Sequence, residues 1–495
     1  MKLEWTLYLL AVFVLFSKVV KGSASREYDY WSEIAKKEAD NLRKLLLNLS
    51  WKSPRNIIVF LGDGMGISTV TGARLYSGQV KQDKKLGQRK LNMESFPITG
   101  FLRTLSDDSI VTDSAASATA YLTGVKALNH YVGFTSEFAE KSCDILNSSS
   151  IIGKSFLIEA KKKNYATGFL TTTRVTHATP SALYAQTINR QWESDRKIHS
   201  QPGVETNCVD IAKQLAEKAY LFNFIGGGGS MMFDPAKRLD NVDLIKKISD
   251  DHLARGNSFQ YYNSIKETID KNTDYAMMLI NENNVEYNRE NQNENLANLT
   301  KHAVDHLRRI SKNNEKGFVL FIEGGRIDHG HHVNKARVAL DEALAMDEVI
   351  GQTIMQLGTE AENTLFIVTA DHSHGFTINI GSRNESMFDE TPCKKCKPEK
   401  NIQKLGYFSG PGTGDESDEY YKSFKPFVQT DLGFHSGEDV PIYARGPLSQ
   451  LFIGVHDNTY LAHTLNQIIN SSRKLSHFSL ISYILFILFI SVFHF

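Results

Sequence analysis

The chain has 495 residues, balances 56 Lys+Arg against 56 Asp+Glu, and contains 41% hydrophobic residues and four Cys. Zero formal charge with no broad basic run excludes a nucleic-acid-binding surface built on a basic face, and four Cys in so long a chain exclude a disulfide scaffold. The hydrophobic content is that of a globular protein large enough to bury a sizeable core.

Residues 1–22 carry Lys2, an apolar run from Leu7 to Phe16 and then the small residues Gly22 to Ser25. That is the pattern of a secretory signal peptide. Residues 27–48 repeat Trp31, Ile34, Ala35, Ala39, Leu42, Leu45 and Leu46 at spacings of three and four, which predicts an amphipathic helix. Apolar runs follow at 56–66 (NIIVFLGDGMG), 165–174 (YATGFLTTTR), 317–330 (GFVLFIEGGRIDHG) and 364–375 (TLFIVTADHSHG). They are continuous rather than alternating, so they predict strands buried on both faces. With helical patterns between them, such as 334–357, they imply an α/β fold: a large, mostly parallel central sheet flanked by helices on both faces. The Asn-rich stretch 281–298 reads as an exposed excursion, and residues 376–434, rich in Gly, Ser, Asn, Lys and Glu, as an insertion.

The C-terminus carries a second unusual stretch. An apolar run from Phe478 to Phe495 is preceded by the small residues Asn470, Ser471 and Ser472. It predicts a GPI-attachment signal, residues 472–495, removed on anchoring, with a tail-anchored helix as the alternative. Either reading places the globular part, residues 23–471, outside the cell. Asn48, Asn147, Asn298 and Asn384 head glycosylation sequons. Cysteines in that compartment pair, and Cys143 with Cys208 is one candidate bridge. Cys393 and Cys396 form a CxxC flanked by Lys, either a local disulfide or half of a zinc knuckle. Without Lys2, Lys18, Lys21, Arg473 and Lys474 on one side and Glu4 on the other, 51 basic and 55 acidic residues leave a formal charge of −4.

Open α/β sheets bind ligands outside the carboxyl ends of their strands. Asp63, Glu323, Asp328, Asp371 and His372 follow the apolar runs at once and should converge on one rim. EGGRIDHGHH (323–332), TADHSH (369–374) and FHSGED (434–439) mix imidazoles with carboxylates, a donor set suited to zinc, whereas oxygen-only sets suit magnesium. DSAASATAY (113–121) lacks bulk and can begin a helix, placing the Ser114 hydroxyl where backbone N–H groups favour an anion. The bland alternative makes Asp113 or Ser114 an N-cap and nothing more.

Taken together, LGDGMG, TDSAASATAYLTGVK, TTTRVTHATPSA followed by INR, FIEGGRIDHGHH, VTADHSH and HSGEDVPIYARGP resemble, in order and spacing, the alkaline phosphatases of the animal, GPI-anchored type. The resemblance spans residues 30–465. It implies extracellular hydrolysis of phosphate monoesters at alkaline pH, with Ser114 as nucleophile and Arg190 gripping phosphate. It implies a first zinc on Asp328, His332 and His435, a second on Asp63, Asp371 and His372 beside Ser114, and magnesium on Asp63, Thr179 and Glu323. His177 would stand near the magnesium, and His374 would line the site. Cys143 and Cys208 fall at the positions of a family disulfide. Residues 27–48 match an arm that crosses to a partner subunit, implying a homodimer, and 376–434 the family's surface crown. Vertebrate members carry a calcium site in the region matching about 225–300, which is shortened here and leaves calcium unassigned. A nucleotide phosphodiesterase or sulfatase of the same superfamily fits less well, because Ala115 and Ala116 follow Ser114 where a sulfatase needs a C/S-x-P-x-R segment. A catalytically silent surface binding protein is the reading from another class, disfavoured because every mapped position holds a competent residue.

Overall fold

The computed structural model describes residue 30 and residues 32–47, 49–80, 89–135, 154–200, 208–290, 295–312, 316–381, 385–412 and 418–471. The chain divides into two compact units, residues 1–50 and 51–495. In the first, residues 32–47 are helical, as the spacing of three and four predicts.

The second unit is built on ten strands: β1 (Asn56–Gly62), β2 (Ile98–Arg103), β3 (Ala166–Arg174), β4 (Phe224–Gly228), β5 (Phe259–Tyr262), β6 (Tyr275–Asn281), β7 (Phe318–Gly324), β8 (Thr364–Ala370), β9 (Val440–Arg445) and β10 (Gly454–Asp457). Their order across the sheet is β10-β2-β9-β8-β1-β7-β3-β4-β6-β5. β1, β7 and β8 are buried at every position, as expected of strands with helices on both sides. β9 runs antiparallel to β2 and β8, and every other pairing in the sheet is parallel. Reversal puts the start of β9 on the rim where the other strands end, and His435 lies just upstream of it. One helical layer comprises Ile67–Val80, Leu296–Ser311 and Ala336–Leu357; the other comprises Ser114–Thr123, Phe156–Lys162 and Thr459–Asn470.

The stretch 376–434 forms small sheets of its own. Phe376–Ile378, Leu405–Gly410 and Pro426–Gln429 make one, and Glu390–Cys393 pairs with Lys400–Gln403 in another. Cys393 and Cys396 are disulfide-bonded, so the CxxC is a local bridge and not half of a zinc knuckle. Cys208 is also disulfide-bonded; Cys143 lies outside the described residues, as do Asn48, Asn147, Asn384, the signal-peptide segment 1–22 and residues 472–495. Asn298 is half-buried in the first turn of its helix, and Asn470 ends the helix Thr459–Asn470, with Ser471 directly after it. Within the Asn-rich stretch, the described residues 282–290 form an irregular loop exposed at Glu282, Asn283, Glu286, Arg289 and Glu290, the excursion its composition suggests, and only the two ends of the stretch join regular elements. Asn281 closes β6, and Asn295 caps the helix Leu296–Ser311 by accepting from the Asn298 N–H, with Leu296 and Leu299 buried. Asn is a favoured N-cap, and a polar composition conceals that role. Among the described residues no helix is long and apolar enough to cross a membrane.

Candidate active site

Four strand ends, the start of one helix and a two-residue antiparallel pairing of distant segments supply the site. Past β1 the chain turns through Gly64, whose φ of +68° suits glycine and where a Cβ would stand 3.2 Å from Asp328. This turn sets Asp63 on the rim and lets the Gly64 N–H donate to Asp371 Oδ1 at 3.0 Å, joining the ends of β1 and β8. Glu323 lies in β7, and the short helix Arg326–His332 after it carries Asp328 and His332 one turn apart on one face. The other two histidines of that segment look elsewhere: His331 bonds the Thr69 and Tyr407 hydroxyls at 2.9 and 2.8 Å, and His329 meets Arg326 at 2.8 Å. His435 and His374 face each other across a two-residue antiparallel pairing. Ser114 opens the helix Ser114–Thr123, and Asp113 caps it by accepting from the Ala116 N–H at 3.0 Å. The capping reading of this segment is therefore correct for Asp113 and leaves Ser114 free for another role.

Asp328 is the hub of one group. Its oxygens lie 3.1 Å from His332 Nε2, 3.0 Å from His374 Nε2 and 3.5 Å from His435 Nε2, and His332 and His435 are 3.2 Å apart, nitrogen to nitrogen. His374, expected only to line the site, thus points a nitrogen into it. His372 centres the second group: its Nε2 lies 3.2 Å from Asp371, 3.4 Å from Asp63 and 3.3 Å from the Ser114 hydroxyl. Asp328 also falls within reach of this second group. A third gathers Asp63, Glu323 and His177, with Thr179 facing Glu323. Arg190 donates to Asp113 at 3.0 Å and lies 3.4 Å from His177 Nε2. The residues expected to act as nucleophile, phosphate grip, metal ligands and their neighbours thus lie together at one rim.

The electrostatics call for cations. Asp63, Glu323, Asp328 and Asp371 are all at most 3% exposed. Burial, reinforced by the neighbouring carboxylates, raises Asp63 well above the usual range, and burial likewise pushes Asp371 up to about 6 and Glu323 up to about 7. Burial would raise Asp328 too, but His332 above all, with His374 and His435, holds it well below. Burial and the His435 ring press His372 toward its neutral, ligating form. Among the described residues, both Asp63 oxygens, Asp371 Oδ2, Glu323 Oε1, Thr179 Oγ1 and His177 Nδ1 are buried with no hydrogen-bond partner. Folded proteins rarely leave such atoms unpaired, and buried charges are normally paired or bound to metal. The donor sets fit: imidazole with carboxylate around Asp328 and His372 suits zinc, and the oxygen-rich third group suits magnesium.

Several contributors escaped the sequence reading. Glu323 Oε2 accepts from the Thr171 hydroxyl and, at 3.4 Å, from that of Thr173. Arg174 and Glu193 form a double ion pair beside the third group. Three threonines and an arginine closing an otherwise buried strand were the available signal.

A family model for alkaline phosphatase matches residues 54–471. The chain is 35% identical over 471 residues to the tissue-nonspecific isozyme of alkaline phosphatase from Gallus gallus, covering 89% of each. Against the isozyme from Homo sapiens it is 34% identical over 489 residues, covering 92% of this chain and 91% of that one. In fold it is similar to alkaline phosphatases from the Antarctic bacterium TAB5, with TM-score 0.61 and 24% identity over 86% of this chain and 100% of that one, and from Thermus thermophilus, with TM-score 0.60 and 22% identity over 86% and 93%.

Proposed function

The chain belongs to the alkaline phosphatase family of metal-dependent phosphomonoester hydrolases, and from that premise we propose that it cleaves phosphate monoesters at alkaline pH through a phosphoserine on Ser114. The observation that carries the reading is the Ser114 hydroxyl, at a helix N-terminus and 3.3 Å from His372, set among buried carboxylate oxygens that lack a hydrogen-bond partner among the described residues. Asp328, His332 and His435, with His374 beside them, would hold one zinc, and Asp63, Asp371 and His372 a second. Asp63, Thr179 and Glu323, with His177 adjacent, would hold magnesium; a variant of the TAB5 enzyme has Mg bound in its M3 site. When bound, two zinc ions supply Lewis acidity to the entering and leaving oxygens of an in-line displacement and lower the pKa of water toward roughly 7.

The chain's own groups do the rest. Arg190, steadied by Asp113, offers a planar fork to two non-bridging oxygens of the phosphoryl group. The first backbone N–H groups of the Ser114–Thr123 helix face the same anion. Ser114 Oγ attacks phosphorus as the bond to the alcohol breaks; water then attacks the phosphoserine, releasing inorganic phosphate and returning the hydroxyl. The purified protein should hydrolyse a simple aryl phosphate at alkaline pH, lose activity to chelation and regain it with zinc plus magnesium. Ser114→Ala should lose most turnover while retaining its metals. An inert wild type under these conditions sinks the reading, and activity that survives Ser114→Ala on a preferred diester favours the phosphodiesterase.

The same reading places the mature protein, residues 23–471, at the cell surface. Segment 1–22 serves as signal peptide, and a GPI anchor at Asn470, Ser471 or Ser472 replaces the C-terminal tail. Glycans on Asn48, Asn147, Asn298 and Asn384, a Cys143–Cys208 bridge and a homodimer formed through the 27–48 arm complete it. Release from membranes by a phosphatidylinositol-specific phospholipase is the expected result for the anchor; retention would favour a tail helix.

A further inference from the structure

Glu193 stands outside every group assigned above, yet it is a carboxylate only 4% exposed. Its Oε2 accepts from Arg174 Nε at 2.7 Å and from the Thr176 hydroxyl at 2.6 Å, and its Oε1 accepts from Arg174 Nη2 at 2.7 Å. A paired guanidinium and carboxylate of this kind has a fixed geometry as well as strength. Arg174 closes β3 and Thr176 lies in the turn after it, just before His177 and Thr179. The turn is short and closed, since the His177 N–H donates to the Arg174 carbonyl at 2.9 Å. Arg174 is held from the other side by the Asn283 and Asn284 side-chain carbonyls, at 2.9 and 3.0 Å.

Glu193 is also three residues from Arg190, and its own segment is tied down. The Arg190 N–H donates to the His130 carbonyl, and the Trp192 and Glu193 carbonyls accept from the Ile211 and Ala212 N–H groups at 2.9 and 3.2 Å. A single carboxylate therefore fastens the turn that presents His177 and Thr179 to the segment that presents Arg190. His177 and Arg190 come within 3.4 Å of each other on the far side of that fastening. Neither Arg174 nor Glu193 points an atom into the three ligand groups, so their effect has to pass through backbone placement.

We propose that Glu193 is a positioning residue that couples the third metal site to the phosphate-binding arginine, holding Thr179 and His177 in register with Arg190. The proposal rests on the reading of Asp63, Thr179 and Glu323 as a magnesium site. Removing partners that orient ligands typically weakens metal binding 10- to 100-fold. Glu193→Gln, which loses the charge and one of the two Arg174 bonds, should weaken magnesium binding about tenfold in calorimetric titration of the zinc-loaded protein. It should also raise the inhibition constant for inorganic phosphate several-fold and leave zinc content unchanged.

Thr176→Val, which removes a single bond, should move both constants the same way by a smaller factor, and it serves if Glu193→Gln fails to fold. The exposed-side pair Arg308–Glu360, at 2.6 Å, gives a control: Glu360→Gln should leave both constants as in the wild type. Magnesium and phosphate constants within twofold of wild type in both Glu193→Gln and Thr176→Val would overturn the coupling. Equal loss in Glu360→Gln would reduce it to general destabilisation. A wild-type protein that takes up no magnesium contradicts instead the assignment of the third site.

Discussion

Asp113 performs two tasks at the site. Asp113 caps the helix that opens with Ser114, and the same carboxylate holds Arg190 at 3.0 Å. Burial alone would raise its pKa, but Arg190 and the Ala116 N–H keep it below the usual carboxylate range. Asn caps as well as Asp does but cannot pair with a cation. Asp113→Asn should therefore keep the cap but lose the ion pair, costing folding stability on the order of 2 kcal/mol, the scale of a charge-assisted hydrogen bond, while raising the inhibition constant for phosphate several-fold, because Arg190 loses its anchor. Arg190→Lys keeps the charge and loses the fork. It should raise KM about tenfold, on the scale of one charge-assisted hydrogen bond, with metal content unaltered. A Lys variant with wild-type KM would show that Arg190 does not meet the phosphoryl oxygens.

At the level of elements, the site depends on how strands end. Gly64 and Gly256 both adopt a left-handed backbone, φ +68° and +73°, but a Cβ at Gly256 would meet nothing within 4 Å, whereas at Gly64 it would approach Asp328. Each Gly→Ala change should cost about 1 kcal/mol in backbone strain, and only Gly64→Ala should also lose metal, read by metal analysis after dialysis. Equal metal content in the two variants would show that the turn after β1 tolerates a side chain. This division mirrors what a reader of the sequence can see. The unbroken runs of β1, β3, β7 and β8 announce buried strands, and the Asp and His that follow them announce the rim. β2 (ITGFLR) alternates buried and exposed residues, and β4 (FIGGG) is mostly glycine, so neither offers an unbroken apolar run. Within DHGHH, the four-residue step from Asp328 to His332 marks the ligand pair once the segment is taken as helical, and it sends His329 and His331 elsewhere. The pairing of His374 with His435 and the clasp of Glu193 on Arg174 are contacts between distant or irregular segments, for which local pattern has no counterpart.

For the molecule as a whole, the cluster of buried carboxylates makes stability depend on cations and on pH together. Glu323 and Asp371 are raised to about 7 and about 6 in the folded chain, so the folded state holds protons that the unfolded state has already released above pH about 4. Stability of the metal-free chain must then fall as pH rises through that window. Cations relieve the repulsion, so the difference in melting temperature between metal-loaded and chelated protein should widen from pH 5 to pH 8. Glu342 adds a part that metals do not remove. Burial in the helix Ala336–Leu357 pushes it up to about 7, against the Asn288 N–H that it accepts at 2.6 Å and the charge of Arg326. From an unfolded value near 4.5, its ionisation costs on the order of 3 kcal/mol by pH 7 and above, and nothing below pH about 4. Glu342→Gln keeps an oxygen for Asn288 and never ionises. In the metal-loaded protein the variant should lie within about 1 kcal/mol of the wild type near pH 5 and melt progressively higher than it as pH rises to 8. Parallel melting curves for the two across that range would mean that Glu342 is solvated or paired well enough to ionise freely, and that the pH dependence belongs to the metal cluster alone.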